Sequence, residues 1–129
     1  MNVGSPEVFK AGSALAGGVA RRGETCGALT GAIMAVCCIV GRERLEDREQ
    51  YQKAMEDAGR VYDRFAEEVG KTLCSEIQEK KFGKGYRMYL PEERTAFHEA
   101  GGHSKTGCPQ VCGIAARIAA EIIIEKRAG

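Results

Sequence analysis

The segment from Tyr51 to Leu73 carries apolar residues at alternating steps of three and four on an otherwise charged stretch. They are Tyr51, Met55, Ala58, Tyr62, Phe65, Val69 and Leu73. Because an α-helix turns once every 3.6 residues or so, this spacing places all of them on one face. The pattern predicts a long amphipathic helix that packs on a core along this stripe, and it favours core packing over a cofactor-binding role for the Tyr and Met residues.

Helix-boundary signals extend this prediction to the rest of the chain. Ser5-Pro6-Glu7 predicts a helix to about Ala16, and a second helix is expected from about Glu24 to Val40, before Gly41. Pro91-Glu92-Glu93 and Cys108-Pro109 each start a further helix. The run from Lys80 to Tyr89 is expected to be a lysine-rich loop or a short irregular strand pair.

The composition supports a helical protein throughout. Alternating β-branched runs are scarce, whereas Ala, Glu, Arg and Ile are plentiful, and the chain has no Trp. Its 129 residues fit one domain that can bury a core of its own. We therefore expect an all-α fold, a compact bundle of about five helices forming a single domain over residues 1–129.

Charge and hydropathy exclude several classes of partner. Lys and Arg total 19 against 18 Asp and Glu, which leaves a net charge of +1 and gives no general attraction to nucleic acid or anionic lipid. The apolar run from Thr25 to Val40 is too short to cross a bilayer, and the first residues lack the charge order of a signal peptide. The sequence predicts a cytoplasmic protein with neither nucleic acid nor membrane as a partner.

Six cysteines in a cytoplasmic chain of this size favour redox or metal chemistry over structural disulfides. Cys26 stands at the head of a predicted helix, where unpaired N–H groups and the helix dipole stabilise a thiolate. Arg21 and Arg22 lie a few residues upstream and add positive charge if the loop folds back. Cys26 is thus predicted to be a reactive thiol of lowered pKa, with a buried structural thiol as the alternative.

The other cysteines differ in their surroundings. Cys108 stands at a second helix start and Cys112 one turn later on the same side, so both are candidates for the same chemistry. Cys74 follows the long helix and is expected to be half-buried, with Ser75 and Glu76 able to start a short helix. Cys37 and Cys38 lie among apolar residues and are predicted to be inert core thiols.

Small residues and histidines add two weaker hypotheses. Gly27 and Gly31 continue to Ala35 at four-residue steps, so another helix or a cofactor could approach this face closely, and tight helix packing alone is the alternative. His98, His103 and Cys108 suggest a mixed metal site, although their spacing matches no zinc pattern. The sequence therefore indicates no particular metal or cofactor, and an iron–sulfur cluster would need ligands from distant helices.

The segment Cys26-Gly27-Ala28-Leu29-Thr30-Gly31 resembles the signature of the C_GCAxxG_C_C family of small redox-active proteins. Further matching landmarks follow in order along the chain: Gly17, Gly18, Gly23, Ala32, Gly70, Cys74, Cys108, Pro109, Val111, Ala115 and Ala116. The resemblance covers roughly residues 6 to 125. It implies that Cys26, Cys74 and Cys108 correspond to three of the four signature cysteines.

The fourth signature cysteine of the family precedes the glycine segment. This sequence has no cysteine before Cys26 and looks shortened there. Cys112, Cys37, Cys38 or a second subunit are alternative sources of a fourth thiol. The resemblance implies redox activity but brings no substrate.

Three functional hypotheses follow from the sequence. The first is a thiol redox protein in which Cys26 works with Cys74 or Cys108, and Cys112 nearby, exchanging electrons with a partner protein or donor. The second is a metal-binding or iron–sulfur electron carrier that uses Cys26, Cys74, Cys108 and Cys112. The third is a helical interaction module, with self-association into a homo-oligomer and structural cysteines.

Overall fold

The computed structural model describes residues 1–129 and confirms the all-α prediction. Six α-helices and one 3-10 helix follow in chain order: α1 Pro6–Ala11, the 3-10 helix Ser13–Leu15, α2 Gly27–Val40, α3 Arg48–Val69, α4 Cys74–Phe82, α5 Pro91–Glu99 and α6 Cys108–Ala128. The sixth helix, beyond the five expected, is α4, which begins at Cys74 itself. No helix is both long enough and apolar enough to cross a membrane.

The core lies where α2, α3 and α6 pack against one another, and α4 adds a single residue to it, Ile77. Fully buried aliphatic and aromatic side chains from all three long helices meet there: Leu29, Val36, Val61, Phe65, Ile118 and Ile122. Helix α1 contributes no buried residue. The first helix is therefore not part of the core.

The apolar stripe predicted for α3 is out of phase with the buried face over the part of the helix that precedes Phe65. The residues of α3 that are buried are Ala54, Asp57, Val61, Phe65 and Val69. Met55 is 52% exposed and Tyr62 44%, because both lie one position beyond the face that α2 and α6 cover. Tyr62 instead uses its hydroxyl in a 3.2 Å hydrogen bond with the Thr72 hydroxyl. The predicted stripe matches the buried face only at Phe65 and Val69. It does not extend to Leu73, because α3 ends at Val69.

Asp57 is the buried charge of the core and joins α3 to α6. Its side chain lies 3.0 Å from the Lys126 ammonium and 3.3 Å from the Arg60 guanidinium. Arg60 reaches on to Glu125, and Arg117 pairs with Glu68 across the same two helices. Such pairing is what permits a carboxylate at 3% exposure.

The segment predicted as a loop from Lys80 to Tyr89 is helical at its start. Lys80, Lys81 and Phe82 form the last turn of α4, and Gly83 ends the helix with φ +85°. Lys80 donates a 2.8 Å hydrogen bond from its ammonium to the Val69 carbonyl at the end of α3. The loop prediction is wrong for these residues, because the lysines serve the C-termini of two helices rather than a solvated loop.

Candidate functional site

A two-residue bridge brings Cys26 and Cys74 to one place. Thr25 and Leu73 pair as an isolated antiparallel bridge, although they precede different helices. The amide of Cys26 donates to the Thr72 carbonyl at 2.9 Å, and the amide of Cys74 donates to the Glu24 carbonyl at 2.7 Å. Cys26 is the N-cap of α2, and Cys74 is the first residue of α4. The starts of two helices are thereby fixed side by side, each with a cysteine.

A turn of left-handed backbone supports this bridge. Five consecutive residues, Gly17 to Arg21, have φ between +50° and +72°. Its hydrogen bonds include the Glu24 amide to the Gly18 carbonyl at 2.9 Å, which leads directly into the bridge. A Cβ at Gly18 would come 2.5 Å from the Glu24 oxygen and 2.6 Å from the Cys74 Cβ. Only glycine fits there, because both the conformation and the space exclude a side chain.

Cys108 and Cys112 approach from a third helix start. Cys108 is the first residue of α6, and its amide donates to the Gly102 carbonyl at 2.9 Å. A Cβ at Gly107, the N-cap, would clash with the Gly101 carbonyl oxygen. Lys81 holds the same loop against α4 by donating to the Thr106 carbonyl at 2.9 Å. The start of α6 is therefore fixed to the C-terminal turn of α4.

Five cysteines line one cavity of about 860 Å³. Cys26, Cys74, Cys108 and Cys112 come from the helix starts, and Cys38 lies further along α2. The walls of the cavity are mainly apolar and come from α1, α2, α4, α5 and α6. Among the four cysteines at the helix starts, Cys112 is exposed and the other three are half-buried, and all five cysteines are free thiols. The candidate site residues predicted from the sequence thus share one cavity, which no single sequence motif predicts.

The lowered pKa predicted for Cys26 is wrong. Burial raises the pKa of Cys26 above that of an ordinary thiol, and the backbone amides of Ala28 and Leu29 offset this only in part. The Cys26 side chain does not cap α2 by a hydrogen bond to those amides. Arg21 and Arg22 do not enter this balance. The helix start favours the thiolate as expected, but loss of water around the sulfur is the larger effect.

The neighbouring thiols reinforce this effect. Burial, together with the charges of Cys26 and Cys108, raises the pKa of Cys74 to about 12. Burial also raises the pKa of Cys108, where Cys26 and Cys112 act in the same direction and Lys81 opposes them. Each thiolate therefore disfavours the next, so the half-buried thiols of the cluster are held protonated at neutral pH.

Gln78 is a residue of this site that the sequence analysis did not find. It is 2% exposed, and its Nε2 donates to the Cys74 Sγ at 3.6 Å. Its Oε1 accepts a 2.8 Å hydrogen bond from the Tyr86 amide. The position one turn after Cys74 was the available signal, because residues four apart share a helix face. Gln78 fixes both the thiol and the loop after α4.

Comparison with known protein families matches residues 1–122 to the family described as "Putative redox-active protein (C_GCAxxG_C_C)". The chain belongs to the C_GCAxxG_C_C family. No match to curated proteins or to solved structures was found. The family description indicates redox activity in general and does not distinguish thiol chemistry from metal binding.

Gly27 and Gly31 have different roles in this C_GCAxxG_C_C protein. A Cβ at Gly27 would come 2.8 Å from the Leu15 carbonyl oxygen. The segment that approaches α2 closely at this point is therefore the end of the 3-10 helix. Nothing lies within 4 Å of a Cβ at Gly31, which borders the cavity. The predicted contact between Gly27 and a cofactor stays a prediction.

The family signature does not include Cys37 and Cys38, and their predicted burial is partly wrong. Cys38 is exposed and borders the cavity, while Cys37 is half-buried. Burial raises the pKa of Cys37, and Cys38 and Asp57 add to this. Only Cys37 fits the description of an inert thiol packed near the core.

The two histidines pair with each other rather than with Cys108. Their Nδ1 atoms lie 2.9 Å apart, and the His103 ring stands edge-on to Phe97 at 5.4 Å between centroids. His103 borders the cavity. No three His, Cys, Asp or Glu side chains lie close enough together to hold a single metal ion, so the mixed His and Cys site is not assembled.

Proposed function

We propose that this protein is a thiol redox protein that works by reversible disulfide exchange in the cysteine-lined cavity. The observation that carries the proposal is the convergence of Cys26, Cys74, Cys108 and Cys112 on one cavity from the starts of three helices. Membership of a redox-active family supports it. Its partner is a redox partner protein or another electron donor.

In the proposed step, the Cys26 thiolate attacks one sulfur of a substrate disulfide and releases the other sulfur as a thiol. The mixed disulfide is then attacked by a second cavity thiol, which forms a disulfide within the protein and releases the second substrate thiol. Two protein thiols are oxidised and one substrate disulfide is reduced. Cys26 is assigned the attack because the amides of Ala28 and Leu29 partly offset the burial that raises its pKa, whereas nothing offsets the burial of Cys74.

The resolving thiol is assigned to Cys74. In the antiparallel bridge that pairs Thr25 with Leu73, Cys26 faces Thr72 and Cys74 faces Glu24, so the two cysteines are diagonal neighbours across the bridge. Cys108 is the alternative, since the charge of Cys26 also raises its pKa and the two thiols border one cavity. Disulfide geometry requires Cα atoms within about 7 Å, and diagonal neighbours lie at about 7 to 8 Å, so closing the Cys26–Cys74 disulfide requires a small movement of one helix start.

Thiol counting with and without reductant tests the proposal. Equilibration in glutathione buffers of increasing oxidation should remove two thiols reversibly, and peptide mapping should recover a disulfide that contains Cys26. Cys26→Ser and Cys74→Ser should each abolish the reversible loss, whereas Cys37→Ser, outside the cavity, should retain it. A thiol count that stays constant across the buffer series contradicts disulfide chemistry.

A metal or iron–sulfur electron carrier is the second candidate function. The cavity thiols are the ligand type that soft metals and clusters select. No three of them lie close enough together to hold one metal ion, so this function requires the helix starts to move closer when the metal binds. Anaerobic purification followed by a visible spectrum and metal analysis distinguishes the two functions. Stoichiometric iron with cluster absorption favours the carrier, and a colourless protein with a reversible disulfide favours thiol exchange.

Location and assembly remain part of the proposal. We expect a cytoplasmic protein, whose reducing conditions would return the cysteines to thiols after each cycle. Self-association into a homo-oligomer, or use as a helical interaction module, predicts that a cysteine-free variant keeps its fold and its association state. Sedimentation of that variant beside the unaltered chain measures this directly.

A further inference from the structure

We propose that the cysteine-lined cavity binds a small apolar organic anion, an aromatic or aliphatic body with one carboxylate or sulfonate group. The binding of such an anion does not depend on the proposed thiol redox function. The inference that such anions are the substrates of the cysteines rests on that function.

The cavity has the size and lining of a small-molecule site. Its volume of about 860 Å³ lies within the range of roughly 300 to 1,000 Å³ that is usual for such sites. Side chains from every side of it are apolar, among them Leu15, Met34, Ile77, Phe97 and Val111. An apolar body would gain by leaving water for these walls.

The charged groups of the cavity are of one sign. Arg21 and Arg94 line it, and no Asp or Glu does. Neither arginine forms an ion pair with a carboxylate of the protein, although ten such pairs occur elsewhere in the chain. Arg94 uses one amino group on the Met88 carbonyl at 2.8 Å, which leaves further N–H donors. A guanidinium beside an apolar wall matches a carboxylate or sulfonate.

Neighbouring contacts link the two segments that carry the arginines. Arg22, next to Arg21, has its guanidinium 4.7 Å from the centre of the Tyr89 ring. Tyr89 in turn follows Met88, the residue that Arg94 holds. The left-handed turn that carries Arg21 is therefore docked on the segment that orients Arg94. A non-glycine residue with φ +64° at this place adds strain of the kind that gathers at functional sites.

Fluorescence titration of the full chain with 1-anilinonaphthalene-8-sulfonate tests the proposal. Its neutral counterpart, N-phenyl-1-naphthylamine, has the same aromatic body without the sulfonate. The sulfonate probe should bind at one site about tenfold more tightly than the neutral probe, since charge-assisted hydrogen bonds are strong. Octanoate should displace it, and octylamine at equal concentration should not.

Three variants locate the binding. Arg21→Gln and Arg94→Gln should each weaken the sulfonate probe by about threefold to tenfold and leave the neutral probe unchanged. Arg44→Gln, an exposed arginine outside the cavity, is the matched control and should change neither. If Arg94→Gln unfolds the chain, the effect of Arg21→Gln and the affinities of the two probes for the unaltered protein still test the proposal. Equal affinities for the two probes, or a loss with Arg44→Gln as large as with Arg21→Gln, would overturn the proposal.

Two measurements on the unaltered chain separate this proposal from the redox function: the selectivity for the sulfonate probe and the reversible loss of thiols in the glutathione buffers. If the unaltered chain binds the probe selectively but its thiols do not cycle, the redox function fails and the binding site stands. If its thiols cycle but charge selectivity is absent, the binding proposal fails and the redox function stands.

Discussion

Gly18 lies directly against Cys74, so closely that a methyl group on the glycine would come 2.6 Å from the Cys74 Cβ. The two residues are far apart in sequence, and only the left-handed turn and the bridge at Thr25 bring them into contact. The backbone of the turn and of the bridge therefore holds Cys74 at the cavity, in addition to helix α4, to which Cys74 belongs. The absence of a side chain at Gly18 therefore determines the position of Cys74.

Gly18→Ala should therefore be severely destabilising. The added methyl group would meet the Glu24 backbone and Cys74 at under 3 Å, and alanine resists the φ of +72°. We expect the free energy of unfolding to fall by at least about 3 kcal/mol in urea titration. Gly83→Ala is the matched control, because Gly83 has φ +85° with open space around it. It should cost only about 1 kcal/mol, the conformational part, and equal losses would refute the steric argument.

Gly27→Ala and Gly31→Ala should change stability in opposite directions. Both glycines lie in α2. A methyl group on Gly27 would press on the Leu15 carbonyl at 2.8 Å, so thermal unfolding should occur at lower temperature, with a loss of about 1 to 3 kcal/mol. A methyl group on Gly31 meets nothing within 4 Å, so alanine should stabilise the helix by about 0.5 to 1 kcal/mol. Stabilisation by Gly27→Ala would contradict the contact.

The cysteines should react with iodoacetamide in an order set by exposure and pKa. Cys38 and Cys112 are exposed and should be modified first. Cys74 should be modified last, because a pKa of about 12 instead of 9.0 lowers its thiolate fraction at pH 8 by about a thousandfold. Peptide mass spectrometry over time gives the order. Faster modification of Cys74 than of Cys112 in the folded protein would contradict the burial of Cys74.

The reactivity of Cys26 should keep rising with pH above neutrality. Its pKa is raised in the folded protein, so the thiolate is absent at low pH and increases as pH passes 9. The alkylation rate should rise by about tenfold per pH unit between pH 7 and 9 rather than level off near pH 7. The same measurement in 6 M urea supplies the control, where the rate should level off at lower pH. A plateau near pH 7 in the folded protein would restore the activated thiol predicted from the sequence.

Gln78→Leu should release both Cys74 and the loop after α4. The Tyr86 amide would lose its acceptor and the Cys74 sulfur its donor. We expect a loss of about 1 to 3 kcal/mol of unfolding free energy, the usual result of leaving a buried polar group unpaired. Gln110→Leu removes an exposed glutamine that accepts from Lys81, and should cost less than about 0.5 kcal/mol. Equal effects of the two changes would remove the special role of Gln78.

The helical class and the long α3 could be predicted from the sequence because a 3.6-residue period is a local property. The buried face of α3 could not, since Tyr62 and Met55 are apolar enough to extend the stripe yet tolerate water. Asp57 lies on the true buried face, and a carboxylate gives no apolar signal at all. Its burial depends on Lys126, which lies far away in the sequence.

The cysteines of the site could be selected from helix-start positions and from the family resemblance, but their convergence could not. It depends on the Thr25 and Leu73 bridge and on the turn before it, which are contacts between distant segments. The pKa direction of Cys26 was missed for a related reason. Helix position is visible in sequence, whereas the desolvation that outweighs it is a property of the assembled cavity.

The turn from Gly17 to Arg21 has a consequence for chemical synthesis of this protein. Ala20, with φ +50°, holds a conformation that is the mirror image of the one its own chirality prefers. D-Alanine in place of Ala20 would adopt the same backbone without strain. A mirror-image residue should therefore make the natural fold more stable at this position, whereas in a right-handed helix such as α3 it would disrupt it.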